Sequence, residues 1–230
     1  MVGIIIQARM GSSRLPGKVL LDFEGKTLLG HILYRLEKIT SIVKIIVATS
    51  DFGQDDLIER FCKNHQVDCF RGEEQNVLKR YYDCATKYNF NNIVRMTADN
   101  PFPDIEELDR LIRFHLEKGF DFSENLSTLP IGVGTEIMSY SALKQSLENA
   151  SLPKHYEHVD EYILDNLSNY KHGILSVPEY KNRPKVRLTV DTWKDYEKAC
   201  YIIARTNSEY ITTKQAIELS IQYENEQRYN

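Results

Sequence analysis

Short apolar runs rich in β-branched residues alternate along the first half of the chain with longer segments whose apolar residues recur at helical spacing. The short runs are typical of strands buried on both faces of a parallel sheet, and the longer pattern is typical of amphipathic helices. The pattern predicts strands at residues 2–7, 44–49, 67–71 and 92–97, and helices at residues 27–39, 51–65, 73–88 and 105–118. This β-α order predicts a parallel sheet with helices on both faces.

The second half of the chain has the same kinds of element in a less regular order. Strands are predicted at residues 120–123, 134–139, 172–177 and 185–190, and helices at residues 141–149, 154–167, 192–205 and 212–223. No linker, repeat or low-complexity tract interrupts the sequence. We therefore expect one α/β domain over residues 1–230, with a Rossmann-like, mostly parallel sheet and a small lobe at residues 125–185.

The composition is that of a folded globular protein, and it narrows the classes of function. Of the 230 residues, 42% are hydrophobic and 27% are charged, so the chain can bury a core. The net charge of -4 argues against a nucleic-acid partner, because nucleic-acid-binding domains usually carry an excess of basic residues. No apolar run approaches the roughly 18 residues that cross a bilayer, so we expect no membrane association.

The cysteines and the first residues of the chain bear on the compartment. Cys62, Cys69, Cys84 and Cys200 form no C-x-x-C pair and are accompanied by no histidine cluster. Reduced, mostly buried thiols are therefore a better interpretation than a zinc site or a disulfide framework. The N-terminus shows no basic region followed by a long apolar run, so we expect no signal peptide and a cytoplasmic protein.

The segment that follows the first predicted strand has the composition of an anion-binding loop. Residues 7–18 contain three cations, two serines and two glycines. Ligands of open α/β sheets bind beyond the carboxyl ends of the strands, where glycine-rich backbone with Arg and Lys suits a polyphosphate. Five residues separate Gly11 from Gly17 and Val19 follows Lys18, which excludes a Walker A loop, and no G-x-G-x-x-G motif is present. An ordinary solvated basic loop is the alternative.

Two aspartates follow other predicted strands and offer oxygen ligands for a metal. Asp99 follows the strand at residues 92–97, and Asp191 follows the strand at residues 185–190, with Asp195 one helical turn further on. If both strands lie centrally in the sheet, the two carboxylates face the basic loop and can hold Mg²⁺ together with phosphate oxygens. The alternatives are a helix N-cap for Asp191 and a plain turn residue for Asp99. Participation of Asp195 in metal binding is left open.

Residues 5–20 read IIQARMGSSRLPGKVL, and this run resembles the opening signature of the spore coat polysaccharide biosynthesis protein F family of cytidylyltransferase-like proteins. Those proteins are similar in fold to the acylneuraminate and 3-deoxy-manno-octulosonate cytidylyltransferases. Further matching segments follow in the same order at residues 70–72, 76–82, 95–101, 157–159, 187–192 and 195. The resemblance covers roughly residues 3–200 and implies a nucleotidyltransferase fold of the GT-A-like type.

The resemblance also implies a reaction, a cofactor and partners. Members of this family transfer CMP from CTP to an acceptor, release pyrophosphate and use Mg²⁺. The resemblance implies Asp99 and Asp191 as the metal ligands, and Lys18 and Arg14 as catalytic groups beside them. It further implies a sugar-acid or phosphorylated small-molecule acceptor, a role in surface polysaccharide or glycan synthesis, and a homodimer.

The expected binding residues lie in the basic loop and at the strand ends. We expect the nucleotide to contact Gln7, Ala8, Arg9, Gly11, Ser12, Ser13, Arg14, Lys18, Arg71, Thr97 and Ala98. We expect Glu136 and His158 at the acceptor, with a surface or structural role as the alternative for His158. Asn76 and Asn100 depart from the family pattern and residues 132–136 match it loosely, so the acceptor is less well defined than the nucleotide.

Two other classes of function share these features. A metal-dependent glycosyltransferase with a nucleotide-sugar donor also combines an α/β nucleotide half with a carboxylate after a strand, but it releases a nucleoside diphosphate. A non-catalytic relative would bind a nucleotide without turnover. The joint presence of Arg14, Lys18, Asp99 and Asp191 argues against such a decayed site.

Overall fold

The computed structural model describes residues 1–206 and 210–227, and nine strands and nine α-helices lie within these ranges. The strands are β1 (Val2–Gln7), β2 (Asp22–Phe23), β3 (Lys26–Thr27), β4 (Val43–Ser50), β5 (Asp68–Gly72), β6 (Asn92–Thr97), β7 (Phe122–Glu124), β8 (Glu136–Ser139) and β9 (His172–Ile174). The helices are α1 (Leu28–Leu36), α2 (Asp56–Asn64), α3 (Val77–Lys87), α4 (Ile105–Lys118), α5 (Tyr140–Asn149), α6 (Pro153–Glu157), α7 (Glu161–Asp165), α8 (Trp193–Ala204) and α9 (Thr213–Glu226).

Seven of these strands form one sheet in the order β5-β4-β1-β6-β8-β7-β9. The strands β5, β4, β1 and β6 are parallel, β8 is antiparallel to both β6 and β7, and β9 is parallel to β7. Only β8 therefore opposes the direction of the other six strands. In the register of the central strands, Gln7 lies opposite Ala48 and Thr97. The carboxyl ends of β1, β4 and β6 thus reach the same edge, and the expected mostly parallel α/β sheet is confirmed.

Both faces of the sheet are covered by helices. Ile4 and Ile6 of β1 pack in one apolar cluster with residues of α1, α2, α4 and α8, whereas Ile5 packs in a second cluster with residues of α3 and α5. Successive side chains of a strand point to opposite faces, so a strand buried on both faces must be apolar at every position. The apolar run in β1 is uninterrupted because this strand is buried on both faces.

Several elements have the bounds that the sequence pattern predicts, and the helix among the best matches carries clear capping residues. β6 and α4 coincide with the predicted ranges. The side chain of Asp104 accepts a hydrogen bond from the Glu107 N–H at the start of α4, and Gly119 ends the helix in a left-handed conformation. Both signals lie within a few residues of the helix ends, so they can be recognised from the sequence alone.

Two predicted elements are wrong. The helix predicted at residues 154–167 is divided into α6 and α7, because the backbone is extended at His158 and the next residue, Val159, is fully buried. The strand predicted at residues 185–190 is not a sheet strand. Its backbone bonds to two different loops: Leu188 N–H donates to the Ile131 carbonyl and Val190 N–H donates to the Asp99 carbonyl. No continuous ladder can form from such divided pairing.

Three further features complete the description of the fold. The hairpin β2–β3 is absent from the sequence-based prediction, and its turn residues Glu24 and Gly25 both have positive φ, as a tight two-residue hairpin turn requires. Residues 125–185, expected as a small lobe, contribute β8 and β9 to the common sheet. Among the helices within the described ranges, none combines the length and apolar character that membrane crossing needs.

Candidate active site

A cleft of about 470 Å³ opens at the carboxyl ends of β1 and β6. This is the edge of the sheet where parallel α/β folds bind ligands. The cleft brings together most of the residues that the sequence points to. Those that line it are Gln7, Arg9, Ser12, Ser13, Arg14, Lys18, Thr97, Ala98, Asp99, His158 and Asp191.

The basic loop after β1 is held in place by a buried carboxylate. The two oxygens of Asp55 accept hydrogen bonds from the Met10 N–H (2.8 Å) and from the hydroxyl and N–H of Ser50 (2.5 and 3.2 Å). Asp55 is fully buried in the turn between β4 and α2, so it connects the loop to the neighbouring strand end. The sequence analysis missed this residue, because a lone aspartate before a helix is indistinguishable from a capping residue.

Lys18 lies between the two predicted metal carboxylates. Its ammonium nitrogen is 3.0 Å from Asp99 Oδ2, 2.9 Å from Asp191 Oδ1 and 2.8 Å from the carbonyl oxygen of Val190. Two arginines extend the network, since Arg14 Nη2 lies 3.1 Å from Asp191 Oδ1 and Arg187 Nη2 lies 2.5 Å from Asp191 Oδ2. Two carboxylates from distant parts of the chain thus converge on one point, and carboxylate oxygens are the ligands that Mg²⁺ prefers, so the donor set fits a divalent cation.

Neighbouring side chains affect the pKa of Asp191 and the orientation of Asp99. Burial alone would raise the pKa of Asp191, but the hydrogen bonds and charges of Lys18, Arg187 and Arg14 hold that pKa below its ordinary value. Asp99 Oδ1 accepts a hydrogen bond from the Thr97 hydroxyl at 2.6 Å. Both aspartates are consequently orientated by donors on the protein before any ligand arrives.

Asp191 is not the N-cap of α8, so the capping alternative is wrong. Thr192 occupies that position, and its hydroxyl accepts from the Asp195 N–H. The Asp195 carboxylate in turn accepts from the N–H groups of Thr192 and Asp191, which completes a capping box. This arrangement leaves the Asp191 carboxylate to point into the cleft, and it gives Asp195 a structural set of partners.

Four predicted residues do not line the cleft. Ala8 is buried and its N–H donates to the Ala48 carbonyl, while Gly11 is an exposed residue of the basic loop that does not line the cleft. Arg71 is engaged by Asp56 at 2.6 Å and Glu59 at 2.9 Å, on the far side of the β4 end. These two acidic partners keep the guanidinium away from the cleft.

The fourth such residue, Glu136, is fully buried one strand away from the cleft. Its carboxylate pairs with Arg95 Nη1 at 2.5 Å, across the β6–β8 register. Burial raises the pKa of Glu136 to about 7, and the positive charge of Arg95 opposes this rise. The side chain that reaches the cleft from this pair is Arg95.

The structure adds cleft residues that the sequence analysis did not select. Arg95, Arg187 and Glu157 are the charged members, and the others are Val19, Val77, Asn100, Ile131, Gly132 and Thr189. A sequence signal for the two arginines exists, because residues 95–99 and 187–191 both follow the pattern R-x-T-x-D. In each copy the aspartate ends in the ion-pair network, so the arginine four residues earlier is a natural candidate.

A second acidic cluster lies away from the cleft and is bridged by a buried lysine. Asp104, Glu106 and Glu107 bring their carboxylate oxygens together, and the ammonium of Lys181 lies 3.0, 2.7 and 2.9 Å from them. Lys181 is almost completely buried. This cluster ties α4 to the segment after β9 and is best understood as structural.

The fold and this cleft define a nucleotidyltransferase-like α/β protein, and comparison with known proteins gives the family. Residues 3–226 match the model of the family described as cytidylyltransferase. The chain is 38% identical to the spore coat polysaccharide biosynthesis protein SpsF of Bacillus subtilis (strain 168), over 86% of this chain and 85% of that protein. The chain therefore belongs to the cytidylyltransferase family, and the resemblance seen in the sequence is confirmed.

Solved structures agree with this assignment. A cytidylyltransferase from Leptospira borgpetersenii serovar Hardjo-bovis has a TM-score of 0.90 and 34% identity to this chain, covering 97% of this chain and 95% of its own. The structure of CMP:2-keto-3-deoxy-manno-octonic acid synthetase complexed with CTP has a TM-score of 0.67 at 18% identity, covering 89% and 98% of the two chains. The second similarity shows a shared fold.

Proposed function

We propose that this protein transfers CMP from CTP to a small acceptor and releases pyrophosphate. The observation that carries the proposal is the convergence of the basic loop, Lys18 and the carboxylates of Asp99 and Asp191 in one cleft. Membership of the cytidylyltransferase family supports cytidine as the base. The structural relative that is complexed with CTP supports the same choice of nucleotide.

The proposed reaction is an in-line displacement at the α-phosphorus of CTP. An acceptor oxygen attacks that phosphorus, the bond to the β-phosphate oxygen breaks, and pyrophosphate leaves on the opposite side. Such a reaction depends on positioning and charge neutralisation rather than on a covalent nucleophile. Mg²⁺ held by Asp99 and Asp191 would supply positive charge at the phosphate oxygens.

The other cleft residues have roles that follow from their positions. Arg14 and Lys18 would stabilise the charge that develops on the departing pyrophosphate. Gln7 and Arg9 lie at the end of β1, where we propose the nucleoside binds. His158 lies at the junction of α6 and α7 and lines the cleft, and we propose that it faces the acceptor.

The acceptor that we propose is a sugar acid or a phosphorylated small molecule of surface polysaccharide synthesis. The name of the Bacillus subtilis relative supports this field of metabolism. We further propose that the protein acts in the cytoplasm as a homodimer. Light scattering coupled to size exclusion tests the homodimer, and a mass equal to that of one chain would contradict it.

A thermal-shift panel tests the nucleotide. The protein is heated with CTP, UTP, ATP, GTP or a UDP-sugar, each with Mg²⁺ or with a chelator. A ligand at 100 times its dissociation constant stabilises a protein by about 2.7 kcal/mol, which corresponds here to a shift of about 5–10 °C. We expect a Mg²⁺-enhanced shift with CTP, and stabilisation by a UDP-sugar without stabilisation by CTP would indicate the glycosyltransferase instead.

A pair of arginine variants locates the binding. Arg14→Ala should lose most of the CTP shift, because Arg14 lies in the cleft. Arg60→Ala should keep it, because Arg60 is exposed on α2 outside the cleft. Turnover is then measured as pyrophosphate release from CTP with a panel of sugar acids, including 3-deoxy-manno-octulosonate, and of sugar phosphates. CTP binding without pyrophosphate release from any acceptor would favour the non-catalytic relative.

A further inference from the structure

Every oxygen of the two cleft aspartates accepts a hydrogen bond from the protein itself. Asp99 Oδ2 faces Lys18 and Asp99 Oδ1 faces the Thr97 hydroxyl. Asp191 Oδ1 faces Lys18 and Arg14, and Asp191 Oδ2 faces Arg187. Lone pairs remain on both carboxylates, but a divalent cation that bridges the two aspartates would have to displace the ammonium of Lys18 or stand beside its positive charge.

Lys18 is the donor on which both carboxylates depend. An ammonium has three hydrogens, and Lys18 directs them to Asp99, Asp191 and the Val190 carbonyl, all within 3.0 Å. Its side chain is only 10% exposed. The Lys18 ammonium thus lies where a bound cation would lie, with three oxygen atoms around it. Lys18 nevertheless belongs to the loop that faces the proposed triphosphate.

The charges of this network are balanced without a metal. Within the described part of the chain, the connected ion pairs contain three cations, Arg14, Lys18 and Arg187, and three carboxylates, Asp99, Asp191 and Asp195. A divalent cation that approaches alone meets a neutral network and a repelling ammonium. A triphosphate brings several negative charges to the loop, and these charges attract Lys18 away from the carboxylates.

We propose that Lys18 is an internal cation that keeps the divalent-metal site closed until a triphosphate draws it away. The proposal rests on the proposed function, because the triphosphate is the nucleotide substrate. It predicts an order of binding in which the metal enters with the nucleotide or after it. By thermodynamic linkage, the triphosphate and the metal then raise the affinity of the protein for each other by the same factor.

The test measures the affinity of the nucleotide-free protein for Mn²⁺, through the electron paramagnetic resonance signal of unbound Mn²⁺. Lys18→Met removes the internal cation and is expected to bind Mn²⁺ at least tenfold more tightly than the parent protein. Lys18→Arg keeps the positive charge and is expected to bind Mn²⁺ as weakly as the parent. The double variant Lys18→Met/Asp99→Asn should lose the gain, which assigns it to the cleft.

Lys198→Met is the matched control. Lys198 is another buried lysine, and it pairs with Glu224 at 3.1 Å on the helices α8 and α9, outside the cleft. This variant should leave Mn²⁺ binding unchanged. If Lys18→Met does not fold, as judged by circular dichroism, Lys18→Gln replaces it, because the smaller neutral side chain still removes the charge.

A second measurement adds CTP. In the parent protein, saturating CTP should raise the Mn²⁺ affinity at least tenfold, and in Lys18→Met the further gain should be much smaller. Equal Mn²⁺ affinities of the nucleotide-free parent and Lys18→Met would overturn the inference. The proposed function is tested separately. If another triphosphate raises the Mn²⁺ affinity and CTP does not, the proposed substrate is wrong. The difference in Mn²⁺ affinity between the nucleotide-free parent and Lys18→Met would still support the role of Lys18.

Discussion

At the scale of single residues, a few charged side chains give the cleft its character, and their types are informative by themselves. The segment with Arg9, Arg14 and Lys18 indicates an anion site, and these three side chains do line the cleft. Arg187 was not selected from the sequence, although residues 187–191 repeat the R-x-T-x-D pattern of residues 95–99, because that pattern does not show which carboxylate the arginine faces. Its partner Asp191 was selected only as the residue that follows a predicted strand.

The first residue-scale prediction concerns Asp99. Asp99→Asn keeps the shape of the side chain but removes the charge that faces Lys18, so we expect turnover to fall by about 100-fold or more. The free energy of unfolding should change by no more than about 2 kcal/mol, because Lys18 keeps Asp191 and the Val190 carbonyl as acceptors when the charge of Asp99 is removed. Pyrophosphate release from CTP and urea denaturation measure the two quantities.

The matched control for this variant is Asp68→Asn. Asp68 is an exposed aspartate at the start of β5, paired with Lys44 at 2.8 Å away from the cleft. We expect its turnover to equal that of the parent protein. Full activity of Asp99→Asn would remove Asp99 from the proposed catalytic machinery.

At the scale of elements, the helix ends show what a local signal can and cannot specify. α4 begins with a capping side chain, Asp104, that a reader of the sequence can identify, whereas α8 begins with Thr192 and not with Asp191, the cap that the sequence suggested. The connection between α6 and α7 has no such signal, because burial of Val159 depends on the helices packed above it. Residues 185–190 read as a strand because their apolar pattern reports burial, and burial is common to strands and to buried extended loops.

An element-scale prediction concerns the pH dependence of α4 docking. His115 on α4 is buried, and its ring nitrogens lie 2.9 Å from the Ser123 hydroxyl and 3.0 Å from the Asn92 side-chain oxygen. Burial lowers the pKa of His115 to about 4, and the charge of Asp121 opposes this shift. An unfolded histidine titrates near 6.5, so below that pH the unfolded chain binds a proton that the folded protein rejects.

The stability that neutral His115 provides should therefore be complete above pH 6.5 and be lost as the pH falls towards 4. Between pH 7 and pH 5 we expect this one group to reduce the free energy of unfolding by about 2 kcal/mol. Urea denaturation of His115→Gln should show a correspondingly smaller difference between the two pH values. His172→Gln, at an exposed position, is the control and should keep the difference of the parent; an unchanged difference in His115→Gln would contradict the assignment.

At the scale of the whole molecule, the cleft is assembled from segments that are far apart in the chain. Lys18 meets a carboxylate 81 residues later and another 173 residues later. The segment after residue 185 reaches them through backbone bonds to Ile131 and Asp99 rather than through the sheet. Gly132 lies at this crossing, where an added Cβ would come within 2.7 Å of Thr189 N and 2.8 Å of Asn100 Oδ1.

The whole-molecule prediction uses this glycine. Gly132→Ala introduces both a strained positive φ of 88° and a clash at the crossing. We expect it to lower the free energy of unfolding by about 3 kcal/mol and to reduce CTP turnover, because Asp191 is displaced from Asp99. Urea denaturation and pyrophosphate release measure the effects.

Gly25→Ala separates the two contributions. Gly25 has nearly the same φ, 90°, but an added Cβ there meets no atom within 4 Å. Its variant should lose only the conformational part, about 1–2 kcal/mol, and keep its turnover. If the two variants were equally stable and equally active, the close approach at Gly132 would have no part in building the cleft.

The sequence by itself determined the class of fold and the chemical character of the cleft. Strand burial and helix amphipathicity repeat every few residues, so the order of elements in the first half and the basic loop after β1 are visible in the chain without its partners. The capping residue of α4 is local in the same way. For the same reason, the run at residues 5–20 was enough to indicate the family that the comparisons confirm.

Only the tertiary structure decided which charged groups meet. Packing between distant segments brings Lys18 together with Asp99 and Asp191 and places Asp55 where it supports the loop. The same packing keeps Arg71 and Glu136 out of the cleft. The charge of a side chain is known from the sequence, but its position in space is not. The partner of a charged side chain depends on the free energy of the whole folded molecule, to which burial and ion pairing across the fold both contribute.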